Sequence, residues 1–77
     1  MKKIVFVCLG NICRSPMAEF VMKSLTDQLK IESRATSSWE HGNPIHRGTQ
    51  AIFKKYAISY DRNKTSQQIS AADFADF

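Results

Sequence analysis

The sequence predicts an α/β protein with parallel strands, and three observations carry that expectation. Lys3 to Cys8 encloses a β-branched and aromatic run, Ile4, Val5, Phe6 and Val7, without the apolar/polar alternation of a half-exposed strand. Apolar residues then recur at three- and four-residue intervals through Met17, Phe20, Val21 and Leu25, the spacing of an amphipathic helix. A second strand pattern and a second helix pattern follow in order, a succession that parallel strands joined by right-handed crossovers satisfy.

The first strand reads as buried on both faces, so it calls for helices on both sides and hydrogen-bonding neighbours on both edges. The chain offers one clear neighbour. Gly10 and Asn11 are the residue types that best tolerate positive φ, and Ser15-Pro16 reads as an N-cap followed by proline at the first helical position. A helix is therefore expected from about Ser15 to Leu29 or Lys30. Met17, Phe20, Val21, Leu25 and Leu29 form its apolar side, and Glu19, Lys23, Asp27 and Gln28 its solvated side. Ile31 to Ser37 is a weaker, more polar strand suited to a sheet edge.

Ser37 to Pro44 reads as loop, and a second helix is expected over about His46 to Tyr56. Ala51, Ile52, Phe53 and Tyr56 give that helix an apolar side, while Lys54 and Lys55 lie near its C-terminus, where cations suit the helix dipole. Ser59 to Ser66 reads as loop, with the Arg62 to Lys64 charges solvated. Ser70-Ala71-Ala72-Asp73 has the pattern of a capping box opening a third helix over Ser70 to Phe77.

At 77 residues the chain supports one small domain at most. Eleven Lys and Arg against seven Asp and Glu give a net charge of +4, which suits an anionic ligand. The charges are scattered and no aromatics interleave with them, so nucleic acid is not an expected partner. The Met1-Lys2-Lys3 opening and the apolar Ile4 to Leu9 run resemble the front of a signal peptide. Gly10, Asn11, Arg14 and Pro16 interrupt that run, and no stretch approaches the ~18 apolar residues of a membrane span. Two cysteines so close together brace little of a fold and suit a reducing compartment, so a cytoplasmic protein without a membrane partner is expected. His41 and His46 lack the spacing of a metal pair with a third ligand; neither metal nor cofactor is expected.

The chemistry concentrates in Cys8-Leu9-Gly10-Asn11-Ile12-Cys13-Arg14-Ser15, between the strand end and the helix N-terminus, where open α/β sheets place ligands. A loop turning at Gly10 and Asn11 can aim successive N–H groups inward as an anion nest, and the helix start adds its own donors. Arg14 offers a planar fork for two phosphate oxygens. Cys8 would aim its sulfur into the same cradle. A free thiol is only a few per cent thiolate at pH 7, and helix N-termini and guanidinium groups raise that fraction. Ser15 is placed either to donate to this sulfur or to cap the helix.

The C-x5-R-S motif, CLGNICRS directly after KKIVFV and before PMAE, resembles the low-molecular-weight protein tyrosine phosphatases, and the similarity continues through TSSWEHGNP and ISAADF. The resemblance implies a three-layer flavodoxin-like parallel sheet, of which this chain supplies the first two strands and flanking helices. It makes Cys8 the nucleophile that forms a cysteinyl-phosphate, and Arg14 the ligand of phosphate and transition state. Asn11 and Ser15 hold the loop and tune the thiolate, while Leu9, Gly10, Ile12 and Cys13 complete the phosphate loop. Cys13 corresponds to a second cysteine able to form a reversible disulfide with Cys8; a small buried core residue is the other reading. Trp39 and Glu40 fall on the cleft wall beside the substrate ring, the alternative for Trp39 being a loop anchor over the core. Ile12 favours phosphotyrosine, because phosphoarginine phosphatases resembling this family usually have Thr there.

Expelling a phenolate requires a general acid, which the family carries on a late Asp-Pro loop. Asp27, placed in the first helix, and Asp61, Asp73 and Asp76 are not followed by proline. Residues 1–77 therefore read as the N-terminal part of a single longer domain, with impaired turnover of phosphotyrosine proteins or small aryl phosphates. A C-terminal half, a second copy or another partner is expected to complete the sheet. Two competing readings are a non-enzymatic phosphate- or phosphopeptide-binding fragment and an arsenate reductase, whose later resolving cysteine has no counterpart here.

Overall fold

The computed structural model describes residues 2–77. Its elements run β1 (Lys2–Cys8), α1 (Arg14–Leu25), β2 (Leu29–Ala35), α2 (Arg47–Lys55) and α3 (Ala71–Asp76). The two strands pair in parallel, from Lys2 opposite Leu29 to Cys8 opposite Ala35. Because side chains alternate along a strand, Ile4, Phe6 and Cys8 share one face with Ile31, Ser33 and Ala35. α1 packs on that face, and its Glu19 accepts a hydrogen bond from the Ser33 hydroxyl. The other face carries Lys3, Lys30 and Arg34. α3 is tied there by ion pairs from Asp76 to Lys3 (2.7 Å) and Lys30 (3.2 Å), and from Asp73 to Arg34 (3.4 Å). Helices on both faces of a parallel sheet are the first half of the expected three-layer flavodoxin-like fold.

The core is small: Phe20 of α1, Phe53 of α2 and Ile45 are buried, with Met17, Ile58 and Tyr60 packed against them. Phe20 and Phe53 meet edge to face with centroids 5.8 Å apart, a geometry favoured by the ring quadrupoles. α2 is capped at both ends. The His46 Nδ1 accepts from the Gly48 N–H at 3.0 Å. At the far end Ala57 takes a left-handed φ of 55°, with its N–H on the Lys54 carbonyl and the Ile58 N–H on the Phe53 carbonyl, a Schellman closure. The Ser70–Asp73 capping box forms at the start of α3.

Several expectations are corrected. β1 is only half-buried and Val7 is 42% exposed, because β1 has one paired edge and few residues cover its α3 face. α1 stops at Leu25, which is 75% exposed, and the chain turns through Thr26 so that Leu29 opens β2; Asp27 lies in that turn. Glu19, expected in solvent, is 1% exposed. β2 is more deeply set than β1, with Ile31, Ser33 and Ala35 buried. Its outer edge is covered near Ala35, whose N–H donates to Gln67 and whose carbonyl accepts from Ile69. On α2 the buried pair is Thr49 and Phe53, while Ala51, Ile52 and Tyr56 face outward. Among the described residues, no helix is long and apolar enough to cross a membrane.

Candidate active site

The loop between β1 and α1 owes its shape to two residues. Asn11 adopts φ 54°, in the left-handed region that asparagine tolerates. Gly10, expected to share that role, has no positive φ; a Cβ there would meet the Glu40 Cγ at 3.3 Å, so glycine serves close approach instead. The chain then enters α1 at Arg14, with Cys13 in the cap position and no side-chain cap. Ser15 is therefore inside the first turn, which corrects the N-cap expectation. Pro16, also in that turn, removes an N–H that would have had no helical acceptor.

The donors left free at this helix start turn toward sulfur. Cys8 Sγ lies 3.4 Å from the Ser15 N–H nitrogen, 3.3 Å from that of Asn11 and 3.1 Å from the Ser15 Oγ. The hydroxyl's direction follows from its other neighbour. Asn11 Nδ2 donates to Ser15 Oγ at 2.7 Å, which leaves the Ser15 proton to donate onward, and Cys8 Sγ at 3.1 Å lies nearer than the other acceptor, the Arg34 carbonyl at 3.5 Å. The Asn11 amide is itself oriented, because its Oδ1 accepts the Gln67 N–H at 3.1 Å. Burial acts to raise the Cys8 pKa. It is outweighed by the Ser15 hydroxyl and by the N–H groups of Ser15, Asn11 and Gly10, so the thiol sits below its ordinary range. The Arg14 guanidinium, expected to share this work, is not among these principal causes.

Cys8, Leu9, Gly10, Asn11, Ile12, Cys13 and Arg14 line one cavity of about 240 Å3, and Trp39 and Glu40 complete its wall. All the loop and wall residues expected from sequence thus meet in one place, with Ser15 buried beneath. Trp39 is 78% exposed, so it does not anchor the loop over the core. Glu40 is held by Asn43 at 2.6 Å. Among the described residues, the N–H groups of Ile12 and Cys13 have no protein acceptor, leaving them available to an anion. Cys13 is exposed rather than a core residue, and its Sγ accepts from Thr49 Oγ1 at 3.2 Å. None of Asp27, Asp61, Asp73 and Asp76 lines this cavity. Larger grooves run along α2 and beside Phe20, but neither is lined by a cysteine. No group of three metal-ligating side chains is found among the described residues.

A strap over residues 64–69 was not recognised in the sequence as part of the site. Ser66 Oγ donates to the Gly10 carbonyl at 2.7 Å and Gln67 holds Asn11. Lys64, expected to be solvated, is largely buried: its ammonium donates to the Ser33 carbonyl at 2.9 Å and lies 3.7 Å from Glu19. Burial pushes the Lys64 ammonium below the usual lysine range, against the opposing pull of Glu19. Glu19 also pairs with Lys23 at 2.7 Å. The only sequence signal for this cluster was a carboxylate one turn before a lysine on α1.

A cysteine sulfur ringed by donors, at the strand end and helix start of a parallel sheet, defines a protein with a thiol set in an anion cradle. Comparison places it more narrowly. The model of the family described as low molecular weight phosphotyrosine protein phosphatase matches residues 3–77, and the chain belongs to that family. It is 43% identical to the low molecular weight protein-tyrosine-phosphatase YfkJ of Bacillus subtilis, over all of this chain and 53% of that protein. Against the Staphylococcus aureus protein-tyrosine-phosphatase PtpA the identity is 46%, again over all of this chain and 53% of the relative. The crystal structure of SP-PTP, a low molecular weight protein tyrosine phosphatase from Streptococcus pyogenes, superposes with a TM-score of 0.99 at 67% identity, covering the whole chain and 53% of that structure. The chain thus spans about half the length of the curated relatives it matches.

Proposed function

We propose that this chain carries the nucleophile and phosphate cradle of a protein tyrosine phosphatase. The carrying observation is Cys8 Sγ receiving the Asn11 and Ser15 N–H groups and the Ser15 hydroxyl at the floor of the loop cavity. In this reading the thiolate attacks phosphorus, the P–O bond to the phenol breaks, and a cysteinyl-phosphate forms. Water then attacks that intermediate, returning the thiolate and releasing inorganic phosphate. Arg14 and the free loop N–H groups hold the equatorial oxygens as charge redistributes. Ser15 donates to the sulfur when it becomes the leaving group. Trp39, exposed on the cavity wall, stacks on the substrate ring, with Glu40 beside it. Ile12 favours phosphotyrosine over phosphoarginine. When peroxide oxidises Cys8 to a sulfenic acid, the Cys13 thiol condenses with it, releasing water, to a reversible disulfide that shields the nucleophile from over-oxidation.

Residues 1–77 are, in the same reading, the N-terminal part of a longer single domain. Two observations support it: coverage of about half of each relative, and a cavity with no aspartate on its wall. A general acid contributes roughly 10²–10⁴-fold where the leaving group is a poor one. The 77-residue chain is accordingly expected to turn over phosphotyrosine slower than para-nitrophenyl phosphate by about that factor. Full and equal activity on both substrates, from material of verified mass, would show that the acid is already present. Stable phosphopeptide binding without release of inorganic phosphate from either substrate would favour a binding fragment instead.

A further inference from the structure

The net positive charge of this chain is not spread evenly once ion pairs are removed. Lys3, Lys23, Lys30, Arg34 and Lys64 all pair with carboxylates. Arg47, Lys54 and Arg62 form no ion pair among the described residues, and all three line a single groove of about 700 Å3 between α2 and residues 57–62. No carboxylate lines it. The nearest in sequence, Asp61, lines the adjoining groove, and its Oδ1 accepts the Asn63 N–H at 2.9 Å. Between the cations lies an apolar floor of Phe53, Ile58 and Tyr60.

The groove is also tied to the cradle. The His46 N–H donates to the Ile12 carbonyl at 2.6 Å, and Thr49 Oγ1 donates to Cys13 Sγ, so the first turn of α2 is fastened to the phosphate loop on both sides of Arg47. From Arg47 to Lys54 the helix advances about 10 Å, the reach of roughly three extended residues. We propose that this groove docks an acidic segment of the phosphoprotein substrate, with Asp or Glu within about half a dozen residues of the phosphotyrosine. The phosphotyrosine part of the proposal rests on the phosphatase reading above; the acidic-segment part rests on the groove alone.

An exposed ion pair improves affinity by up to about fivefold, and its effect fades as salt shortens the screening length. The test uses the Cys8→Ser chain, so that phosphopeptides persist, and three probes: a phosphotyrosine peptide with acidic flanks, the same peptide with Ser and Gln flanks, and the acidic peptide without phosphate. Fluorescence anisotropy is expected to show about tenfold tighter binding for the acid-flanked phosphopeptide at low salt, shrinking as salt is added. The unphosphorylated acidic peptide is expected to bind weakly but measurably. Combined Arg47→Gln, Lys54→Gln and Arg62→Gln substitutions remove both effects and leave phenyl phosphate binding unchanged. Lys55→Gln, on the same helix but outside the groove, changes neither.

Three results would overturn the proposal: no preference for acidic flanks, a preference that survives the triple substitution, or equal binding of a single-stranded oligonucleotide dependent on the same three residues. Loss of phenyl phosphate binding alone, with acidic-peptide binding intact, would instead count against the cradle.

Discussion

Two parts of this small molecule are held together by opposite means. Around the cradle, polar groups are buried and each is assigned a partner: Gln67 to Asn11, Asn11 to Ser15, Ser15 to Cys8, Ser66 to Gly10, and beneath them Lys64 and Ser33 to Glu19. No buried side-chain nitrogen or oxygen lacks a partner among the described residues. On the opposite face of the sheet, α3 buries none of its residues and is tied by the exposed pairs of Asp76 with Lys3 and Lys30 and by the less exposed pair of Asp73 with Arg34. Buried polar networks fix one geometry, because breaking any member leaves a desolvated group unpaired. Exposed ion pairs hold position weakly and yield to salt. The site is therefore rigid where chemistry needs it, while the α3 face is marginal.

The largest effect that would break this contrast is at Glu19. Glu19→Gln leaves Lys64 largely buried without its charge partner, and removing one member of a buried pair typically costs ~3–5 kcal/mol. The exposure of Lys23 points to the lower end, about 3 kcal/mol, readable as a fall in the urea midpoint. At roughly 0.1 kcal/mol per residue, a 77-residue chain has about 8 kcal/mol in total stability. A midpoint unchanged by Glu19→Gln would make the network ornamental.

Asn11→Ala comes next, with a cost of about 2–3 kcal/mol from two lost buried hydrogen bonds and a strained left-handed residue. Asn11→Gly restores the conformational freedom but not the bonds, so it should cost less, and the difference between the two isolates the backbone contribution. Both raise the Cys8 pKa, followed by the ultraviolet absorbance of the thiolate.

Ser15→Ala is expected to cost about 1 kcal/mol and to raise the Cys8 pKa more clearly than it lowers stability. The sign follows from linkage. A thiol whose pKa is depressed by folding stabilises the native state fully above the ordinary thiol pKa, and that contribution is lost as pH falls through the depressed value. The stability advantage of the native chain over Ser15→Ala should therefore widen as pH rises across that window. The smallest effect belongs to the other region: Asp76→Asn is expected to leave the urea midpoint within scatter at moderate salt, although Lys3 and then Lys30 hold the Asp76 carboxyl below its usual range. A shift comparable with that of Glu19→Gln would erase the distinction between the two regions.

What could be read from sequence divides along the same line. The CLGNICRS loop and the Ser70–Asp73 box were legible because their signals lie within a few residues and follow from turn, cap and dipole preferences. Trp39 and Glu40 were placed by the family resemblance. Glu19 was not, since its helical position matches a solvated face and its partners come from β2 and the strap. Lys64 sits in a charged polar stretch that reads as solvent. The end of α1 was misplaced because Leu25 and Leu29 continue the apolar spacing after the chain has turned toward β2. Ser15-Pro16 looks like a cap, and only the position of the sulfur shows that the hydroxyl is employed elsewhere.

The central claim, that Cys8 in this cradle is a phosphoryl-accepting thiolate, is tested most directly by acid-quenching the chain during turnover of para-nitrophenyl phosphate and mapping any phosphoryl adduct by mass. The account predicts one phosphoryl group on the peptide containing Cys8 and none on Cys8→Ser. Phosphate release with no adduct on Cys8, or release that persists in Cys8→Ser, would contradict it.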